Sequence, residues 1–162
     1  MKKLLMCLLA LALCVGVAAL AEGATPAEGA TPAKGGETFT LRFEEGFRLS
    51  LPAGWVSYPA GDGAIRYALG DGAGRYMYVL VQPSPYEDFD ALQAAIDGRD
   101  DCGKASPLDL NGQPFAAFIV PDLNASGCAT VLDGQAITFL FTPQDDSEYM
   151  LTVAEIMASF KL

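Results

Sequence analysis

The chain predicts an α+β fold, an antiparallel β-sheet flanked by helices, and three observations carry that reading. Short runs alternate apolar and polar residues, turn-forming dipeptides separate them, and two segments switch to helical spacing. Alternation gives a strand one oily face, whereas a 3.6-residue period gives a helix one oily stripe. Strands joined by tight turns must run antiparallel, and helices with a single stripe must lie against the sheet.

The N-terminus comes first and is of another kind. Lys2 and Lys3 precede an uncharged apolar run from Leu4 that closes on Ala19-Leu20-Ala21. This is the pattern of an export signal, with cleavage after Ala21, and residues 1–21 are expected to leave with it. The run of eighteen residues from Leu4 to Ala21 is also just long enough to stay as an uncleaved membrane anchor. Met6 before Cys7 and Leu13 before Cys14 are too bulky for a lipoprotein signal. Residues 22–36 repeat Ala24-Thr25-Pro26-Ala27-Glu28-Gly29 as Ala30-Thr31-Pro32-Ala33-Lys34-Gly35, a stretch with nothing bulky to bury. They read as a disordered Ala/Thr/Pro/Gly linker, either a spacer or an inert leader.

Residues 37–162 are of a size and composition to form one hydrophobic core, the whole chain being 51% apolar. Phe39, Leu41 and Phe43 alternate, Glu44-Glu45-Gly46 turns the chain, and Phe47, Leu49 and Leu51 alternate up to Pro52. Residues 64–69 and 75–82 read as a hairpin around Gly70 to Gly74. Closed symmetrically, it sets Leu69 opposite Arg75, Tyr67 opposite Met77 and Ile65 opposite Val79, with Arg66, Ala68, Tyr76 and Tyr78 on the other face.

A helix follows. Phe89, Leu92, Ala95 and Ile96 share a stripe, acids crowd the first turn, and Gly98 stands past the last periodic position. Asn111-Gly112 joins strands 106–110 and 113–120, and Asp133-Gly134 joins 128–132 and 135–142. Pro114 inside its strand points to an edge or a bulge. A second helix closes the chain, with Asp145 as cap, Glu148 three residues on, and a buried stripe of Met150, Val153, Ala154, Met157 and Phe160.

Phe47-Arg48-Leu49-Ser50-Leu51-Pro52-Ala53-Gly54-Trp55 resembles the opening signature of PsbP-like (Mog-like) domains, a strand ending in Leu-Pro-x-Gly-Trp. The order of hairpin, Phe-Asp-Ala-Leu helix, Asn-Gly turn and final Ile-Met-Ala-Ser-Phe helix is similar too, over roughly residues 38–162. The resemblance implies an α/β/α sandwich like that of the photosystem extrinsic protein P and its relatives, including exported Gram-positive proteins of unknown role. It also implies binding more than catalysis, without naming a partner.

Several residues are candidates for function, each with a plainer reading. Trp55, the sole Trp, either plugs one end of the core or stacks on a ligand. Arg66, Tyr76 and Tyr78 form a candidate binding surface, since Tyr and Arg anchor interfaces, although the tyrosines equally suit burial beneath a helix. Cys102 and Cys128 are the only cysteines left after cleavage, and export favours a disulfide between them. Two separate buried thiols are the alternative.

Composition excludes more than it names. There is no histidine, so Ser-His-Asp and Cys-His catalysis cannot be built, and two cysteines make a poor zinc site. Carboxylate catalysis has Asp97, Asp100, Asp101, Asp145, Asp146 and Glu148 to draw on, but all lie in expected loops and helix ends. Calcium at Asp97-Gly98-Arg99-Asp100-Asp101 lacks the alternating acidic loop and meets Arg99. Removing Lys2 and Lys3 leaves eight basic against twenty acidic residues, a formal charge of −12. That argues against nucleic acid and anionic lipid, which need clustered Lys and Arg.

The expectation is an exported, non-enzymatic domain without cofactor or metal, not embedded in the membrane, that binds another protein at the bacterial envelope or outside it. A small-molecule or glycan-binding module and, further off, a carboxylate-dependent hydrolase are the alternatives.

Overall fold

Nine strands and two α-helices form from residues 38–60 and 63–162, which the computed structural model describes. The expected signal peptide, its anchor alternative and the linker lie outside the described residues. In chain order the strands are β1 (Thr38–Arg42), β2 (Arg48–Pro52), β3 (Val56–Tyr58), β4 (Ile65–Gly70) and β5 (Tyr76–Pro83), then helix α1 (Phe89–Asp97). After it come β6 (Ser106–Leu110), β7 (Gln113–Val120), a 3-10 turn at Pro121–Leu123, β8 (Ala125–Leu132), β9 (Gln135–Thr142) and helix α2 (Ser147–Ala158).

Seven strands make one antiparallel sheet in the order β3-β4-β5-β9-β8-β7-β6, while β1 and β2 form a separate hairpin. That hairpin and α2 cover one face. Phe43, Phe47, Leu49 and Leu51 from the hairpin meet Tyr149, Val153, Ile156 and Met157 from α2 over Met77, Val79, Phe115, Ile137, Phe139 and Phe141 of the sheet. Helix α1 covers part of the other face, its Leu92 and Ile96 resting on Ala116 and Ala129. The expected α+β fold, an antiparallel sheet flanked by helices, is what the chain adopts.

The turns obey their residues. Asn111, Gly112, Asp133 and Gly134 all take positive φ, as two-residue hairpin turns with the strand twist require. In Pro52-Ala53-Gly54-Trp55 the Trp55 amide closes back on the Pro52 carbonyl at 3.4 Å, and Gly54 sits at φ 91°. That is a tight turn in which a side chain at the third position would be strained. The motif thus has a mechanical content: it reverses the chain so that Trp55 enters the core.

Several details depart from the expected pattern. The β4–β5 register is shifted by two residues, pairing Gly70 with Tyr76, Leu69 with Met77 and Tyr67 with Val79. Arg75 belongs to the turn, because Asp71 Oδ1 accepts from the amides of Ala73 (2.7 Å) and Arg75 (3.3 Å). A shift of two keeps each side chain on its face, but an irregularity between Ile65 and Tyr67 moves Ile65 opposite Leu80 and onto the α1 face. The α2 cap is Asp146, which accepts from Tyr149 N at 2.9 Å; Asp145 instead accepts from Asn124 Nδ2.

With the cap goes the stripe. Tyr149, Val153, Ile156, Met157 and Phe160 are buried, Met150 is half-buried and Ala154 is exposed. Pro114 lies in an inner strand, yet the β7–β8 ladder begins only at Ala116, so its missing N–H falls where no rung is made. There Thr130 Oγ1 donates to the Pro114 carbonyl at 2.7 Å. The short strand β3 was not expected; three residues carry too little alternation to register.

Candidate functional site

The sheet distributes the candidate residues over its two faces. Trp55 is buried on the α2 side, its ring 6.2 Å from that of Tyr149. It plugs the core and offers no face to a ligand. Tyr78 is 2% exposed and stacks with half-buried Tyr76 at 6.1 Å, which in turn meets the edge of Tyr58 at 5.7 Å. Burial, and the neighbouring tyrosines after it, raises the pKa of Tyr58 and Tyr78, so these phenols stay neutral. The row lies on the α1 face of the sheet, beyond the helix. Gly70 makes it possible, since a Cβ there would come within 2.8 Å of the Tyr76 ring and 2.7 Å of the Arg75 carbonyl.

Arg66 does not join this row. Its guanidinium reaches Glu44 Oε2 at 2.5 Å and Glu45 at 3.8 Å, both at the tip of the β1–β2 hairpin, which covers the α2 face. The candidate surface of Arg66, Tyr76 and Tyr78 is therefore not one patch: Tyr78 is inside, and Arg66 is drawn the other way.

The cysteines are likewise separated, and the expected disulfide is not formed. Both thiols are free. Cys128 pairs in register with Phe139 and packs into the α2-side core, whereas Cys102 packs with Leu92, Ile96 and Phe118 on the α1 side. The sheet itself stands between them. Alternation along β8 decides this, because Gly127 and Ala129 face α1 and Cys128 must face away. Burial pushes the Cys128 thiol up to about 11 and raises that of Cys102 as well, which makes both poor nucleophiles at neutral pH.

Most of the acids that carboxylate catalysis would draw on make contacts within the fold, and Asp100 is exposed. Asp97 Oδ1 accepts from the Ala105 amide, Asp101 pairs with Arg99, and Asp146 and Glu148 both pair with Arg75. Asp146 is held below the usual carboxylate range, first by the Tyr149 amide and then by Arg75. Between α1 and the sheet lies a cavity of about 70 Å³ lined by Tyr86, Leu92, Ile96, Cys102, Phe118 and Leu140. Ligand pockets run from about 300 Å³ upward, so this space is too small for a sugar or cofactor.

A different group of residues comes together on the outer side of the β1–β2 hairpin. Arg42 stands directly opposite Arg48, and Arg48 is bridged to Lys161 beyond α2 through mutual backbone bonds of 2.8 and 3.1 Å. Three cations thus lie in one cross-strand row. Thr40 and Ser50 form the next pair on the same face, with Ser159 Oγ accepting from the Ser50 amide at 2.7 Å, and a shallow groove runs over the whole group. Among the described residues Arg66, Arg75 and Arg99 are ion-paired and Lys104 Nζ donates to the Asp97 carbonyl, while Arg42, Arg48 and Lys161 make no ion pair. Half of this was readable from the alternation, which points Arg42 and Arg48 outward across a turn. Nothing in the sequence brings position 161 beside them.

With its seven-stranded sheet between a hairpin-plus-helix layer and a second helix, the chain has a PsbP-like fold. The solution structure of cyanobacterial PsbP (CyanoP) from Synechocystis sp. PCC 6803 is similar to it at 16% sequence identity, with a TM-score of 0.52, over 87% of this chain and 98% of that one. No protein-family model matches the chain, and no curated protein matches it. Among the described residues no helix is long and apolar enough to cross a membrane.

Proposed function

We propose that the chain is an exported, non-catalytic binding domain that engages a macromolecular partner, with another protein of the envelope as the leading kind, through the basic face of the β1–β2 hairpin. The observation that supports this reading is the row Arg42, Arg48 and Lys161. Like charges directly opposite one another on neighbouring strands destabilise a sheet, and in a chain of net charge −10 these three make no ion pair among the described residues. An arrangement that costs stability is accounted for by a negatively charged partner that occupies the face. Export rests on the N-terminal pattern of the sequence, and absence of catalysis on most of the candidate acids being committed to a cap, ion pairs or hydrogen bonds.

Retention of the exported chain on isolated cell envelopes tests the proposal. Retention is expected to fall severalfold in R42Q/R48Q/K161Q and with rising salt, and to be unmoved by Y76A. Equal retention of the triple variant overturns the assignment of the surface. Turnover of any substrate that disappears when two acids are neutralised overturns the non-catalytic reading.

A further inference from the structure

Hydrogen bonding sets how close the three cations stand. The backbone N–H and C=O of Arg48 both point to Lys161, with which it exchanges bonds of 2.8 and 3.1 Å. Towards β1, Arg48 is therefore in the non-hydrogen-bonded kind of pair, whose Cα atoms lie about 4.5 Å apart and whose side chains are the closer. Arg42 and Arg48 thus leave the hairpin from a closely spaced pair of Cα atoms, and the Cα of Lys161 follows about 5.5 Å further along the same row. The hydroxyls of Thr40 and Ser50, the next pair on the same face, donate no hydrogen bond among the described residues. They are neutral donors available to a ligand.

We propose that this face is a binding site for a phosphoryl group. The assignment rests on the reading above for the binding face alone and departs from it in the occupant, a compact phosphoryl anion in place of an acidic protein surface. A carboxylate carries one charge and would leave two of the three cations unanswered, whereas a phosphoryl oxyanion carries up to two charges on three oxygens. Two arginine forks and neighbouring hydroxyls suit that geometry. The surroundings select for a compact anion. Glu44, with 76% of its side chain exposed, and Glu45 lie at the tip of the same hairpin, where an extended acidic surface would meet them. A small, dense charge can reach the row and avoid the tip.

The phosphoryl group has two sources, a soluble phosphate compound or a phospholipid headgroup, and two arms of one experiment separate them. In the first, pyrophosphate is titrated into the exported chain at constant ionic strength and followed by amide shifts, with acetate as the control. Shifts are expected at Arg42, Arg48, Ser50 and Lys161, with roughly tenfold weaker binding in R42Q/R48Q/K161Q and no change in K104Q. R42K/R48K keeps the charge and loses the forks; it is expected to bind at an intermediate level, and it serves if the triple variant does not fold.

In the second arm, phosphatidylcholine vesicles with and without phosphatidic acid, whose phosphomonoester presents three terminal oxygens and up to two charges, are sedimented with the chain. Binding that needs both the anionic lipid and the basic row assigns the group to a headgroup. Pyrophosphate binding without vesicle binding assigns it to a soluble ligand. The proposal fails if neither probe binds, if the triple variant binds as well as the parent, or if acetate binds as tightly as pyrophosphate. Should envelope retention still depend on the row while both probes fail, the phosphoryl assignment falls and the binding face stands.

Discussion

The two faces of the central sheet are built on opposite plans. The α2 face is packed with large rings: Phe47 lies 5.5 Å from Phe139 and 5.7 Å from Phe160, and Phe115 meets Phe160 edge-on at 5.0 Å. Beneath α1, a helix of nine residues, the other face is paved with Ala116, Ala125, Gly127, Ala129 and Ala136 and keeps a cavity, while its tyrosine row stands beyond the helix. Small residues let a helix approach closely but bury little area each, whereas interlocked rings bury much and gain from edge-to-face contact. Most of the stability therefore resides on the face shared with the β1–β2 hairpin, the element that carries the basic row. A rigid support beneath a three-cation row is what lets like charges be held together at all.

Truncating each face is the strongest way to break this contrast. F139A, at a fully buried ring, is expected to lose about 3–5 kcal/mol, and L92A on the α1 face at least about 1 kcal/mol less, as measured by urea unfolding. Equal losses would mean that the two layers contribute alike.

The thiols sharpen the comparison next. The Cys128 pKa is raised in the folded state, so its contribution is fully present below the unfolded thiol value and is lost as pH climbs from there to about 11. That window is worth about 3 kcal/mol and should disappear in C128A when stability is followed from neutral to alkaline pH. Alkylation of the native protein should reach Cys102 first and leave Cys128 protected until unfolding, with no joined peptide in unreduced digests.

A smaller effect is expected at Gly127, where a Cβ would lie 2.6 Å from the Phe118 ring and 3.0 Å from Leu140. G127A should cost about 1–3 kcal/mol, and F118A in the same chain should recover part of it. Full additivity of the two would deny the contact.

The smallest change is expected at the half-buried cap of α2. Asp146 has a depressed pKa, so its contribution is present above the usual carboxylate value and lost as pH falls through the folded one. D146A should lower Tm by a few degrees at neutral pH and by less in acid. A loss that grows in acid would reverse the assignment.

Much of the architecture was legible before any coordinate. Asn111-Gly112 and Asp133-Gly134 marked their hairpins because only residues tolerant of positive φ suit those turns, and Gly98 closed α1 where the stripe of Leu92 and Ile96 ended. Local errors arose where two neighbours competed for one role. Asp145 and Asp146 can each cap a helix; the fold chose Asp146, which also reaches Arg75 at 2.9 Å, and the buried stripe turned with it. The β4–β5 register likewise depended on a side chain, Asp71, that draws Arg75 into the turn.

Chain chemistry by itself determined which segments are strands and helices, where they reverse, and that the sheet is antiparallel, because these depend on neighbours a few residues away. It could not say which face of the sheet a loop cysteine joins, nor that Lys161 would stand beside Arg48. Those are contacts between residues far apart in sequence, decided when two helices and a hairpin pack on opposite sides of one sheet. The free thiols, the divided tyrosines and the three-cation row all follow from that packing alone.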